Sequence, residues 1–229
     1  GGQSIERQIK ALRYGCHVIV GTPGRVKDHL QRGTLRLNHV KIAVLDEADE
    51  MLDMGFIDDI ESILKEIPEQ KQMMLFSATM PPEIKKLAQK YMKNPHLVEV
   101  SRDELTVPLI EQSFYEIRDR YKVEALCRII DTEDIGQAII FCRTKRGADE
   151  LATALQARGY FADALHGDLS QQQRDRVMKK FREGKVDLLI ATDVAARGLD
   201  INNVTHVINF DIPQDPESYV HRIGRTGRA

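Results

Sequence analysis

Cysteine is scarce in this chain. Its three cysteines, Cys16, Cys127 and Cys142, lie far apart, with no CxxC pair and no His/Cys cluster. That argues against a disulfide framework and against a zinc site, and it suits a reducing cytosol. Long apolar runs are missing too. None approaches the ~18 residues of a membrane span, and no signal peptide is visible, so a cytoplasmic protein without membrane contact is expected. Net charge is nearly absent: 33 Lys plus Arg against 35 Asp plus Glu give -2. Bulk charge therefore gives no sign of nucleic acid, and any basic site has to be local. There is no low-complexity tract and no short-period repeat. An initiator Met is lacking as well. The chain opens on Gly1-Gly2 and closes on Arg228-Ala229, which reads as an internal piece of a longer protein.

What is present is enough to build cores. Hydrophobic residues make up 42% of 229, which suits one large domain or two modest ones. Short apolar runs at 16–20, 41–45, 72–76, 113–117, 137–141, 187–191 and 205–210 read as strands. Several are apolar throughout, as in a parallel sheet covered on both faces. Helical patterns alternate with them. Ile84, Leu87, Ala88 and Tyr91 follow i, i+3, i+4, i+7, and so do Ala148, Leu151, Ala152 and Leu155. Ser170 and Gln173 form a capping-box pattern ahead of Val177, Met178 and Phe181. The alternation argues for an open α/β fold. Residues 101–112, mixed polar with Pro108, break the rhythm and read as a connector. The expected domains are 1–100 and 113–229.

In open α/β sheets ligands bind beyond the carboxyl ends of strands, so the residues after each strand matter most. After 16–20 comes GTPGR. Thr22 can cap a helix, Pro23 suits its first turn, Gly24 allows close approach and Arg25 adds charge. The backbone there can hold a phosphate, or it can be an ordinary helix start. After 41–45 comes Asp46-Glu47-Ala48-Asp49. An acid directly after a buried strand is a frequent holder of Mg2+ near a nucleotide phosphate, through water, which gives Asp46 that role. Glu47 can orient and deprotonate a water. The alternative is a solvated acidic helix start, favoured by the dipole. The spacing of Asp46, Asp49, Asp53 and Gly55 does not fit an EF-hand. After 72–76, Ser77 and Thr79 place hydroxyls where they can bond across to Asp49, or serve as caps. The chain ends in HRIGRTGR (221–228), with His221, Arg222, Arg225 and Arg228 and no acid. Three arginines are either a solvated face or forked guanidiniums for phosphate oxygens.

Taken together and in order, these blocks resemble the DEAD-box RNA helicases, most closely the bacterial ones. The matching blocks are Gly1-Gly2, Thr22 to Arg25, Asp46 to Asp49, Ser77 to Thr79, IIFCRTK (139–145), HGDLSQQQR (166–174), ATDVAARGLD (191–200) and HRIGRTGR (221–228). The resemblance spans essentially the whole chain. It implies an α/β fold of two RecA-like parallel-sheet domains, the first truncated at its N-terminus and the second lacking its C-terminal edge. It further implies ATP with Mg2+ as cofactors and RNA as partner; the oligomeric state is not legible, a monomer being the favoured expectation. By the same resemblance, Asp46 holds Mg2+ through water and Glu47 positions the attacking water. Asp49, Ser77 and Thr79 couple nucleotide state to domain closure. Gly198 and Asp200 belong to the nucleotide site, with Asp200 on the ribose. Arg225 and Arg228 act as arginine fingers, assisted by His221. Gly1, Gly2, Thr22, Gly24, Arg25, Gln171, Arg174 and Thr192 touch the RNA backbone, a recognition of shape and 2′-OH groups rather than base sequence.

One part of the pattern is missing. No G-x-x-x-x-G-K-[ST] phosphate loop occurs; the lone Gly-Lys, Gly184-Lys185, is followed by Val186. Two functions stay open on sequence grounds. One is a segment of an ATP-dependent RNA helicase, which hydrolyses ATP and locally unwinds RNA. The other is a non-catalytic RNA-binding module.

Overall fold

The computed structural model describes residues 3–99, 110–196, 201 and 204–226, in two compact units, Gly1–Glu99 and Val100–Ala229. Gly1, Gly2, Gly198, Asp200 and Arg228 lie outside the described residues, as does most of the connector expected at 101–112.

In the first unit, helices α1 (Ile5–Arg13) and α2 (Pro23–Gln31) precede strand β1 (Ile42–Leu45). Then come α3 (Ala48–Asp53), α4 (Ile57–Lys65), β2 (Gln72–Leu75) and α5 (Pro82–Tyr91). The strands pair in parallel, Ile42 opposite Gln72 and Leu45 opposite Leu75. Behind them Ile60, Leu64 and Leu87 form a small core, with Leu45, Phe56, Met73 and Tyr91 packed against it. The other face of β1 is open, with Ile42 and Val44 about half exposed at 56% and 50%. Coverage of both faces therefore fails in this unit, where the helices among the described residues cover one side.

The run 16–20 is not a strand. Val18 and Val20 are exposed at 78% and 93%. Their β-branched side chains favour extended backbone, but a strand without a hydrogen-bonded neighbour has nothing to hold it. The run 113–117 fails in the same way, with Phe114 and Tyr115 exposed.

The second unit opens with a short 3-10 turn, Asp119–Tyr121, running into α6 (Lys122–Thr132). Next come β3 (Ala138–Phe141), α7 (Lys145–Gln156), β4 (Ala162–Leu165) and α8 (Gln171–Arg182). The unit continues with β5 (Leu188–Ala191), α9 (Asp193–Ala196), β6 (His206–Asn209) and α10 (Pro216–Ile223). The sheet is parallel, in the order β4-β5-β3-β6. Every residue of β3 and β5 is buried, because helices lie on both faces. Ala138 and Ile140 pack with Leu151 and Leu155 on one side; Ile139 and Phe141 pack with Met178 and Phe181 on the other. Each of the larger side chains among these contributes roughly 1.5–3 kcal/mol by leaving water. Strand β4 was not evident in the sequence. The Ser170/Gln173 capping box forms as read.

Candidate active site

The ladder between β1 and β2 runs on past both strands. The Phe76 N–H donates to the Leu45 carbonyl (2.8 Å) and the Ala48 N–H to the Phe76 carbonyl (3.1 Å). This register carries residues 46–49 alongside 77–79. Asp49 is buried, 7% exposed. Its carboxylate accepts from the Thr79 N–H (2.7 Å), the Thr79 hydroxyl (2.9 Å) and the Glu50 N–H (3.1 Å). Its own N–H donates to Ser77 Oγ at 3.1 Å. Burial pushes the Asp49 carboxyl up. The hydrogen bonds from Thr79, Ser77 and Glu50 outweigh burial and hold it below the usual carboxylate range. Asp49, Ser77 and Thr79 thus form one cluster, the bonded arrangement of the two readings the sequence allowed.

Asp46 and Glu47 stay exposed at the same strand end. Asp46 Oδ1 accepts from the Glu47 N–H at 3.0 Å. Glu47 is in the left-handed region (φ 51, ψ 50), one of two non-glycine residues there among those described. Such a conformation costs on the order of 1–3 kcal/mol and persists only where its surroundings enforce it. Here the continued ladder on one side and α3 on the other do so. The result is two outward carboxylates on a rigid, bonded turn.

At the start of α2, Thr22 is the N-cap residue but its side chain makes no capping bond, while Pro23 sits in the first turn as expected. A Cβ at Gly24 would meet nothing nearer than Asp59 Oδ2 at 4.0 Å, so internal packing does not require glycine there. Arg25 Nη1 donates to the Gln3 carbonyl (3.0 Å) and to Gln8 Oε1 (2.7 Å). Those two bonds tie it to α1 and to the residue two positions ahead of that helix.

In the second unit Gln171 and Arg174 lie on the first turn of α8. Gln171 Nε2 bonds Asp175 Oδ1 at 2.7 Å, and Arg174 Nη2 reaches the Ala195 carbonyl at the end of α9, 3.5 Å. Thr192 is buried directly ahead of α9, and its carbonyl accepts the N–H groups of Ala195 and Ala196, each at 3.0 Å. Arg174 and Thr192 are thus both bonded to α9, while Gln171 is bonded within α8. His221 sits in α10 and Arg225 just past it, both half-buried.

Arg222 departs from the phosphate-facing reading of the three arginines. It is buried, 4% exposed. Its Nε and Nη2 grip Asp193 at 2.6 and 2.8 Å, and its Nη1 donates to Asn209 Oδ1 (2.8 Å) and the Asp211 carbonyl (2.7 Å). The guanidinium also lies 4.8 Å from the Phe141 ring centre. Its fork holds an internal carboxylate. Asp211 in turn accepts from Lys122 (3.0 Å) and the Arg143 N–H (2.9 Å). Burial pushes the Asp211 carboxyl up, and these partners bring it below its usual range. Asp193, Asn209 and Asp211 were not singled out from sequence. The signal was there: Asp193 and Asp211 each follow a strand closely, as Asp46 does.

Cys142, beside this network, offers no nucleophile. Burial and the Asp211 charge push its thiol up to about 12. Among the described residues no group of three or more His, Cys, Asp or Glu side chains converges as a metal cage, and no helix is long and apolar enough to cross a membrane.

The DEAD/DEAH box helicase family matches residues 1–87 and the helicase conserved C-terminal domain matches residues 121–229. The whole chain is 61% identical to the DEAD-box ATP-dependent RNA helicase CshA of Geobacillus kaustophilus and 58% identical to CshA of Bacillus subtilis. It covers 49% and 46% of those proteins, so it spans about half the length of the curated relatives it matches. Among solved structures, S. cerevisiae Dbp5 bound to RNA and ADP BeF3 matches 92% of this chain and 56% of its own at 41% identity, TM-score 0.84. A DEAD box protein from the hyperthermophile Methanococcus jannaschii matches all of this chain and 61% of its own at 50% identity, TM-score 0.51. With both domain families in order and this identity along its whole length, the chain belongs to the DEAD-box helicase family.

Proposed function

We propose that this chain supplies the water-positioning carboxylates, and part of the RNA track, of an RNA-stimulated ATPase that locally unwinds RNA duplexes. The observation that carries this reading is the Asp49 cluster. It joins the two strand ends by buried hydrogen bonds and so presents Asp46 and Glu47 on a fixed turn. Phosphoryl transfer needs positioning and charge neutralisation rather than a covalent nucleophile, and an outward carboxylate on a bonded turn serves that need. In this reading Glu47 orients and deprotonates the attacking water. Arg225 and Arg228 offer guanidiniums to the phosphates, His221 supports them, and Gly198 and Asp200 meet the nucleotide. Thr22, Gly24, Arg25, Gln171, Arg174, Thr192, Gly1 and Gly2 meet RNA phosphate and sugar.

The donor set fits Mg2+. The ion keeps several waters and takes one or two carboxylates plus substrate phosphates, and exposed Asp46 is such a carboxylate. Bound there, Mg2+ would neutralise charge on the phosphates. The ligands of the Dbp5 structure support RNA and a nucleotide as partners. Free thiols at Cys16, Cys127 and Cys142 support a reducing, cytoplasmic setting.

The alternative, an RNA-binding module without turnover, is favoured for the 229 residues alone by the missing phosphate loop. Calorimetry and fluorescence anisotropy on this chain test both readings. Mg-ATP is expected to give no micromolar binding. Labelled single-stranded RNA is expected to bind with steep salt dependence, log Kd moving roughly 0.7 per phosphate contacted for each decade of salt. Oligomers of different sequence should agree within about tenfold, or ~1.4 kcal/mol. No RNA binding, or a larger sequence preference, would contradict the proposal.

A further inference from the structure

We infer that the buried pair Arg222–Asp193 is a positioning device that ties the RNA-facing and nucleotide-facing residues of the second unit to each other. The inference rests on the proposed function, because it concerns the residues assigned there to RNA and phosphate.

Helix α9 has only four residues. So short a helix has almost no stability of its own and takes its place from what grips its ends. Thr192 precedes it, and Arg174 reaches the carbonyl of Ala195 near its end. Asp193, its first residue, gives both carboxylate oxygens to Arg222, at 2.6 and 2.8 Å. Arg222 therefore anchors the helix to which two candidate RNA residues, Arg174 and Thr192, are bonded.

Arg222 is equally the anchor of α10. Its Nη1 reaches Asn209 and the Asp211 carbonyl beyond β6. One turn on, the Arg225 N–H donates to the Arg222 carbonyl at 3.1 Å, and Thr226 Oγ1 donates to the Val204 carbonyl at 2.7 Å. The turn that carries Arg225 is thus bonded to the backbone of the residue whose guanidinium holds Asp193. The forked pair fixes direction as well as distance, which a lysine ammonium cannot do. Because Arg222 is buried and four of its five N–H donors bond protein, it acts through its neighbours and touches no phosphate itself.

The pair also offers a route by which RNA is felt at the nucleotide side. Seating RNA against Arg174 and Thr192 loads α9. Any shift of α9 moves the Asp193 carboxylate, and through Arg222 it moves the turn carrying Arg225. Both ends lie in one unit, so the link needs no change in the other.

The test uses the isotope-labelled chain titrated with a short oligouridylate and followed by amide NMR, alongside anisotropy across a salt series. In the parent chain RNA is expected to shift amides at Thr192 to Ala196 and also at Gly224 to Thr226. In Asp193→Asn, and in Arg222→Lys, RNA affinity should fall by about tenfold. The salt slope should stay unchanged, since no phosphate contact is lost. The shifts at Gly224 to Thr226 should disappear while those around Thr192 persist at higher RNA. The double variant should be no weaker than either single one, because both remove the same pair. If Arg222→Lys does not fold, the isosteric Asp193→Asn carries the test by itself. Failure of the parent chain to bind RNA would contradict the proposed function. Binding by the parent with unchanged affinity and shifts in Asp193→Asn would overturn the positioning role alone. A salt slope lower by about one phosphate in Arg222→Lys would overturn it too, since Arg222 would then contact phosphate directly.

Discussion

Asp49 does most of the residue-scale work in the first unit, because one carboxylate ties together two strand ends. Its folded pKa lies below the unfolded value. Ionisation of Asp49 therefore stabilises the fold above about pH 4, the ordinary aspartate value, and that contribution is lost as pH falls through the depressed folded value. Asp49→Asn should cost about 1–3 kcal/mol at neutral pH, the usual penalty for a broken buried polar contact. Urea denaturation as a function of pH checks the sign: the gap between parent and variant should shrink on acidification, and a constant gap would assign the cost to shape rather than charge. The possibility of a bond from Ser77 or Thr79 to Asp49 was legible in the sequence, since hydroxyls followed one strand and an acid its neighbour. The internal use of Arg222 was not. Nothing in HRIGRTGR separates an arginine turned inward to a carboxylate from one turned outward to phosphate, because the deciding partner, Asp193, lies 29 positions earlier.

At the scale of elements, the strands that the sequence revealed were those with neighbours. Runs 137–141 and 187–191 became β3 and β5, where every residue is buried. Runs 16–20 and 113–117 look no less like strands, yet they stay irregular for want of a partner. Propensity proposes a strand; pairing decides it. Strand β4 was hidden for the opposite reason. Ala162-Asp163-Ala164 has weak strand preference, and its place comes from the ladder to β5, Ala162 opposite Leu188. The same contrast predicts energetics. Ile140, with no exposed surface, should lose about 2–5 kcal/mol on replacement by Ala. Val44, half exposed, should tolerate Thr within about 0.5 kcal/mol. Thermal and urea unfolding of the two variants check this. Equal destabilisation would mean that the open face of β1 is covered in solution.

At the scale of the whole molecule, the residues proposed to act are divided between the two units. Among the described residues the first has a core cluster of Ile60, Leu64 and Leu87 and carries Asp46, Glu47 and Asp49. The second has two clusters of twelve each and carries Arg225 and the Arg222 network. An arginine finger contributes about 10³–10⁵ in rate, or roughly 4–7 kcal/mol. If Glu47 and Arg225 act as proposed above, turnover depends on both units. RNA and nucleotide that favour the same working state must then assist each other, since coupling is reciprocal. The central claim, that Glu47 positions the attacking water of an RNA-stimulated ATPase, is tested most directly by RNA-stimulated phosphate release. The assay uses a fusion that adds a phosphate-loop segment ahead of Gly1, with and without Glu47→Gln. The account predicts that Glu47→Gln lowers turnover by at least about a hundredfold, the lower range for a lost general base, while RNA and ATP binding stay within about twofold, ~0.4 kcal/mol. Near-normal turnover in Glu47→Gln would contradict it.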